Sequence, residues 1–372
     1  MQNNQSVGKV ALVVGATGLI GKFLVARLLQ SNDQVFALCR RLDQQELSLR
    51  TWLEKQGISH QKLFCLQGDV TLPDLGISAE DWKRLAKVNY LFNTSALFAW
   101  NLSTQQAREV NVRGLINLLE CVNEHCQLKR AIHLSGYMLT LTQHLQDAGV
   151  CLENIESTNW RRVYQKLGAY EASKIEAHFA WVKCTQQLKI DWTVIHPATV
   201  VGDENSGEIA ENQPIAHLIT QLKQGKMTAI PAIPAIPAIP ATPQHYLPLV
   251  SVTMLVNAIF KASQDQLTIH QDILIANPIQ ISLQALIDNA AHRLNLKAPQ
   301  YFVSLHILKL ILKWKWLAQK LDLSAEMLSF IRTEQLNMDQ FLTLNQKWQI
   351  PETNLKQTIA LTAEWVDRNH QI

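Results

Sequence analysis

Tyr170 and Lys174 stand four residues apart in GAYEASKIEAH, residues 168–178. In a helix that spacing puts both side chains on one face, one turn apart. A lysine beside a phenol favours the phenolate and lowers its pKa from the ordinary ~10. Such a tyrosine could exchange protons near neutral pH. Alone, such a pair is more often two neighbours on a helix surface, so the elements around it must decide.

A second set of residues lies in KVALVVGATGLIGKFLVARLL. Residues 10–14 read as a buried parallel strand. Gly15, Gly18 and Gly21 follow at once, and an amphipathic stretch then runs to Leu29. Strand, glycine turn and helix together suit a dinucleotide. Glycine permits the tight turn and close backbone approach, and the free N–H groups of the helix start face the pyrophosphate. Thr17, Leu19 and Ile20 belong to the same turn. The plain alternative is a bare strand-to-helix turn.

The strand QVFALC ends in Arg40-Arg41. At that point an acid would accept bonds from a free ribose 2′-hydroxyl, whereas arginine pairs with a 2′-phosphate. Two arginines and no acid favour NADP (NADPH) over NAD; the alternative is two solvated charges.

The alternation continues. KLFCLQGDV, VNYLFNTSA, RAIHLSG and DWTVIHPATVVG read as strands three to six, residues 104–126 carry helical periodicity, and the helix of Tyr170 precedes the sixth strand. This predicts an α/β fold, a Rossmann-type doubly wound parallel sheet. Ligands of such sheets lie beyond the carboxyl ends of the strands. Gly15–Gly21, Arg40, Asp69, residues 93–96 (Asn93 to Ala96), Ser135 and His196-Pro197 all fall at such ends. Six sites on one rim argue for a real site.

Bulk properties narrow the class. The chain has 372 residues, 47% hydrophobic, with a net charge of +3. That charge gives no case for nucleic acid. The polar N-terminus lacks the pattern of a signal peptide, and no apolar run is long enough to span a membrane. The six cysteines form no CxxC pair; packed, reduced thiols in a cytoplasmic protein are expected. Apart from His196, the other eleven histidines show no metal-ligand spacing, and no metal is expected.

Taken in order, GATGLIG, GDV, NTSA, NVRGLINLLE, YEASK and HPATVVGD resemble a short-chain dehydrogenase/reductase of the extended type, over residues 9 to about 210. GDVTLPDLGISAEDWKRLA, FAWN and VVGDENSGE are most similar to the thioester-reductase and male-sterility (fatty acyl reductase) branch. The resemblance implies roles. Tyr170 would be the general acid on a carbonyl oxygen as NADPH delivers hydride. Lys174 would bind the nicotinamide ribose and depress the tyrosine pKa. Asp69 and Val70 would lie against the adenine. Thr94, Ser95 and Ala96 would line the cofactor groove, and Asn111 would support the site. His196, Pro197 and Val200 would complete the cofactor-binding set.

One motif departs from the family. After the fifth strand it carries a pair of small hydroxyl residues; here the stretch is LSGYML, with Gly136 at the second place. Either Ser135 supplies the catalytic hydroxyl, or Tyr137, Thr140 or water substitutes. His196 stands where many relatives have arginine.

The first domain is expected over 1–202, with 247–275 returning to it. Residues 203–246 and 276–372 would form a smaller, mainly helical substrate-binding region. The repeat TAIPAIPAIPAIPATP, 228–243, should be an extended, polyproline-like loop. Residues 302–321 read as a basic amphipathic helix that could pack on its own domain, line an acyl tunnel or touch a membrane surface. The expected function is NADPH-dependent reduction of a carbonyl or acyl thioester with an apolar tail. An acyl-CoA or carrier-bound acyl group would be the partner. The rivals are a hydroxysteroid- or epimerase-type enzyme of the same fold and a non-catalytic NADP-binding protein.

Overall fold

The computed structural model describes residues 8–97, 102–227, 230–232, 245–299, 302–304 and 330–369. The strands β1 (Val10–Val14), β2 (Gln34–Cys39), β3 (Leu63–Gln67), β4 (Tyr90–Asn93), β5 (Arg130–Leu134) and β6 (Trp192–Pro197) alternate with helices. After them come β7 (Thr199–Val201), β8 (Ile230–Ala232), β9 (Leu249–Ser251), β10 (Gln271–Ile275) and β11 (Phe302–Ser304). The main sheet is parallel, in the order β10-β6-β5-β4-β1-β2-β3. The chain direction across the sheet reverses between β1 and β4. That switch point opens a crevice at the carboxyl ends of the two strands.

The strands are apolar because helices cover both faces of the sheet. All of Ala11–Val14 is buried, as is the whole of β5. The core joins Leu12, Phe36 and Leu91 of the sheet to Leu115, Leu118, Leu119 and Val122, which recur at helical spacing, and to Trp181. Each such side chain contributes about 1.5–3 kcal/mol by leaving water.

Helix α1 (Leu19–Gln30) docks on this sheet only because its first turn lacks a side chain at Gly21. A Cβ there would lie 2.0 Å from the Gly15 carbonyl oxygen. Helices α2 (Leu42–Lys55) and α3 (Ala79–Leu85) follow β2 and β3. The helical run expected over 104–126 exists, with an interruption: α4 (Thr104–Arg108), a π turn (Glu109–Arg113) and α5 (Gly114–His125). Helix α6 (Thr142–Ala148), α7 (Trp160–Leu167) and α8 (Ala169–Leu188) then lead to β6.

Two expectations need correction. The sixth strand does not run through residue 202. It stops at Pro197, which has no N–H to continue a ladder, and residues 199–201 pair instead with β9. The helix expected over 302–321 begins as strand: Phe302, Val303 and Ser304 pair parallel with β8, as aromatic and β-branched residues favour. The remainder of that helix lies outside the described residues. So does the proline repeat, apart from Ile230–Ala232.

The chain forms two compact units, 1–196 with 256–274, and 197–255 with 275–372. The second holds α9 (Pro214–Lys223), α11 (Leu283–Arg293) and the helices Asp339–Trp348 and Leu355–Asn369; α10 (Val252–Ala262) begins in the second and ends in the first. The second unit is stitched by GDENSG. Asp203 accepts bonds from the Asn205 and Ser206 N–H groups and, at 2.6 Å, from the Thr253 hydroxyl. Gly207, at φ 74°, lets the turn lie on the last helix; a Cβ would come 2.1 Å from the Leu361 carbonyl oxygen.

Candidate active site

Helix α8 positions the Tyr170–Lys174 pair. Its start is set by Gly168, at φ 86° and ψ 170°, a conformation essentially confined to glycine. Tyr170 therefore sits in the first turn of α8 and Lys174 one turn later. Tyr170 is half-buried and Lys174 is buried. The Lys174 ammonium donates to the Leu134 carbonyl at 2.6 Å, at the carboxyl end of β5. Burial lowers its pKa to about 8.

Ser135 is the next residue along the chain. Its N–H donates to the Ile195 carbonyl at 2.9 Å, which ties it to β6. Its hydroxyl is buried and has no hydrogen-bond partner among the described residues. An unpaired buried hydroxyl costs roughly 1–3 kcal/mol. A donor kept idle at that cost, beside a buried lysine, suits a ligand. Gly136 is extended, at φ −161° and ψ 151°, so its backbone does not require glycine. Thr140 is occupied, donating to the Tyr137 carbonyl at 2.7 Å.

Asn111 sits in the π turn, whose i→i+5 bonding is frequent at functional sites. Its Nδ2 donates to Ser173 Oγ at 2.9 Å, and that hydroxyl donates to the Tyr170 carbonyl at 2.8 Å. Asn111 also accepts from the Leu97 N–H at 2.8 Å. It thus links the segment after β4 to the turn bearing Tyr170. A second brace is Glu176. Arg108 grips it through two nitrogens, at 3.0 and 2.6 Å, and the buried Tyr164 hydroxyl adds 2.8 Å. Glu176 therefore joins α4 and α7 to α8.

Most of the residues expected on the cofactor side follow the carboxyl ends of β1 to β4, on either side of the switch point. Gly15, at φ 81°, packs against the end of β4; a Cβ would meet the Ser95 nitrogen at 2.7 Å. Gly18 is exposed and starts α1 without a side-chain cap or an acidic residue in the first turn. Leu19 is buried, so it offers the rim its backbone only; Ile20 is half-buried. Thr17 accepts from Gln45 at 3.0 Å, and Gln45 also accepts from the Arg41 N–H at 2.9 Å. Arg40 and Arg41 are exposed, and neither guanidinium has an ion-pair partner among the described residues. Asp69 accepts from Thr71 N–H and hydroxyl, at 2.9 and 2.8 Å. Val70 is held by its carbonyl, which accepts from Asn117 at 2.8 Å.

The Thr94 and Ser95 hydroxyls are spent locally, on the Val14 carbonyl and on Asn93, while Ala96 is exposed. His196 is buried at the end of β6, next to Pro197. Val200 stands apart: it lies in the second unit, buried and paired with Val250. A pyrophosphate cradle that Cβ atoms would fill, two unpaired arginines and an idle hydroxyl fit a phosphorylated dinucleotide.

Sequence reasoning missed Ser173, Glu176, His178 and Asp272. The first three share α8 with Tyr170, so helical spacing could have flagged them. Asp272 carried no sequence signal; only the pairing of β6 with β10 brings it here.

The parallel sheet and the glycine turn at its switch point define an NAD(P)-binding fold of the extended short-chain dehydrogenase/reductase type. Residues 13–259 match the model of the male sterility protein family of NAD-binding domains, and the chain belongs to that family. It is 28% identical to fatty acyl-CoA reductase 2 of Bos taurus over 143 residues, 34% of this chain and 28% of the relative. It is 24% identical to the L-2-aminoadipate reductase of Schizosaccharomyces pombe over 233 residues, 57% of this chain and 16% of the relative. The chain spans less than a third of the length of these relatives. Among solved structures, the terminal R domain of the myxalamid PKS-NRPS pathway matches with a TM-score of 0.73 and 17% identity, over 99% of this chain and 93% of that one. The yeast methylglyoxal/isovaleraldehyde reductase Gre2, complexed with NADPH, matches with a TM-score of 0.64 and 15% identity, over 97% and 99%. At these identities the likeness shows the fold. No described helix is long and apolar enough to cross a membrane.

Proposed function

We propose that this chain is an NADPH-dependent reductase of a carbonyl or acyl thioester bearing an apolar tail. The observation that carries the reading is the idle, buried Ser135 hydroxyl. It lies one residue beyond the carbonyl that holds Lys174, and Lys174 lies one helical turn from Tyr170.

Gly15, Gly18 and Gly21, with the backbone of Thr17, Leu19 and Ile20, hold the pyrophosphate. Arg40 and Arg41 pair with the 2′-phosphate. Asp69 and Val70 flank the adenine, and residues 94–96 with Asn111, Lys174, His196 and Pro197 border the rest. NADPH, when bound, supplies a hydride to the carbonyl carbon. Negative charge then grows on the carbonyl oxygen. Tyr170 gives its phenolic proton to that oxygen, and Ser135 donates a hydrogen bond to it. The Lys174 ammonium stabilises the tyrosinate left behind. Relatives named as fatty acyl-CoA and aminoadipate reductases support an acyl substrate.

The test is NADPH oxidation by the purified protein with acyl-CoA thioesters of rising chain length, aldehydes and cyclic ketones. Turnover of long thioesters that Tyr170→Phe abolishes, with NADPH still bound, is the expected result. Turnover of ketones alone would move the protein to a hydroxysteroid-type activity. In the same assay Arg40→Ala should weaken NADPH far more than NADH; equal weakening would overturn the choice of cofactor.

A further inference from the structure

Behind the Ser135–Gly136 loop lies a cluster to which the proposed hydride and proton transfers assign no step. His178 comes from α8, His196 from the end of β6 and Asp272 from β10. One ligand atom from each falls within 4.8 Å of the others. His196 Nε2 is 2.9 Å from Asp272 Oδ1, and His178 Nδ1 is 3.5 Å from the same oxygen.

The hydrogen bonds fix what these atoms can be. His196 Nδ1 lies 3.1 Å from the Gly136 carbonyl oxygen. That oxygen can only accept, so the proton is on Nδ1. In a neutral ring Nε2 then turns a lone pair to a carboxylate oxygen. Two lone pairs at 2.9 Å repel unless a cation lies between them. A proton there would serve His196 and Asp272 alone. It would leave His178 Nδ1, which is buried and without a hydrogen-bond partner among the described residues, unsatisfied 3.5 Å away. A metal ion would engage all three.

We propose that His178, His196 and Asp272 form a binding site for a divalent transition-metal ion, Zn²⁺ by the nature and number of the donors. Two imidazoles and one carboxylate are a common ligand set for Zn²⁺, with bonds of about 2.0–2.1 Å and hence donor atoms roughly 3.3 Å apart in a tetrahedral site. The 2.9 and 3.5 Å separations bracket that spacing. The outer contact is also the expected one: a ligating histidine donates its other N–H to a backbone carbonyl, which orients the ring. Here that carbonyl is Gly136. Asp272 keeps 44% of its side chain exposed, which gives the ion an entry path and leaves a fourth position for water. The consequence is mechanical. The ion ties α8, β6 and β10 together and, through His196, steadies the loop that presents Ser135.

The test does not depend on turnover. Purified protein is stripped with a chelator and titrated with Zn²⁺ by calorimetry, and with Co²⁺ by visible absorption. One Zn²⁺ per chain and the intense bands of tetrahedral Co²⁺ are expected. Asp272→Asn, a change at a half-exposed position that preserves shape, should abolish the bands. It should also weaken Zn²⁺ by more than the roughly 10–100-fold that loss of an outer partner costs. His178→Gln should do the same, with circular dichroism to verify folding. The proposal is overturned if the stripped protein takes up no stoichiometric metal, or if uptake survives Asp272→Asn.

Discussion

Ser135 and Lys174 each lower the stability of the folded chain, in ways that can be measured. The Ser135 hydroxyl is buried without a partner among the described residues, so Ser135→Ala should stabilise the protein by about 1 kcal/mol, read as a raised Tm. The same change should lower kcat by ~10²–10³ if this donor meets the oxyanion. Gly136→Ser should restore part of the loss. Its Cβ would meet only the mobile end of Met138, with Sδ at 2.4 Å and Cε at 3.0 Å, and a flexible thioether moves at small cost. Lys174 is a matter of pH. Its pKa falls from 10.5 in the open chain to about 8 when buried. Below pH 8 both states are charged, and burial of the ammonium is unfavourable. Between the two values the unfolded chain holds the extra proton, so this group's contribution to stability rises with pH. Lys174→Met should therefore stabilise the protein by about 2 kcal/mol near pH 7, since one pKa unit is worth about 1.4 kcal/mol and the bond to Leu134 is lost. The advantage should vanish above pH 10.5. Denaturant midpoints across pH 6–11 would show it; a pH-independent difference would contradict a buried charged lysine.

Among the elements, α8 carries the Tyr170–Lys174 pair of the candidate site, and its neighbours hold it in place. Arg108 and Tyr164 converge on Glu176 from α4 and α7. Burial, then the neighbouring Glu176 charge, push the Tyr164 phenol well above its ordinary range. Glu176→Ala strands the Tyr164 hydroxyl and breaks a two-point ion pair. A fully buried pair would cost about 3–5 kcal/mol. Arg108 keeps 44% of its side chain exposed, so the expected loss is nearer 2 kcal/mol. Urea unfolding would measure it, and Glu176→Gln should lose less because its amide oxygen still accepts from Tyr164. The π turn acts alongside. It sets Asn111 against Ser173, and so against the backbone of Tyr170.

For the whole molecule, the useful quantity is linkage between cofactor and folding. A ligand that binds only the folded chain stabilises it by about 2.7 kcal/mol at a hundred times its Kd. NADPH should raise Tm accordingly, NADH at the same concentration should raise it much less, and Arg40→Ala should erase the difference. Thermal melts at matched concentrations test this without knowledge of the substrate. The second unit owes its own cohesion to other groups. Asp203 gathers its turn, and Glu204 accepts from Ser251 and Thr353 across the unit.

Local chemistry was legible in the order of residues. The glycine turn, the arginines after β2, the alternation of strands and helices and the spacing of Tyr170 and Lys174 each act within one or two adjacent elements. There, chain geometry alone determines which atoms can meet. The end of the sixth strand was legible only in part: Pro197 marks a stop, but nothing local says that residues 199–201 will pair with β9. The idle state of the Ser135 hydroxyl, the grip of Arg108 on Glu176 and the meeting of His178, His196 and Asp272 were decided by tertiary structure. They join residues up to 94 positions apart. Burial and strand order, which depend on the packed sheet as a whole, determine whether such groups find partners.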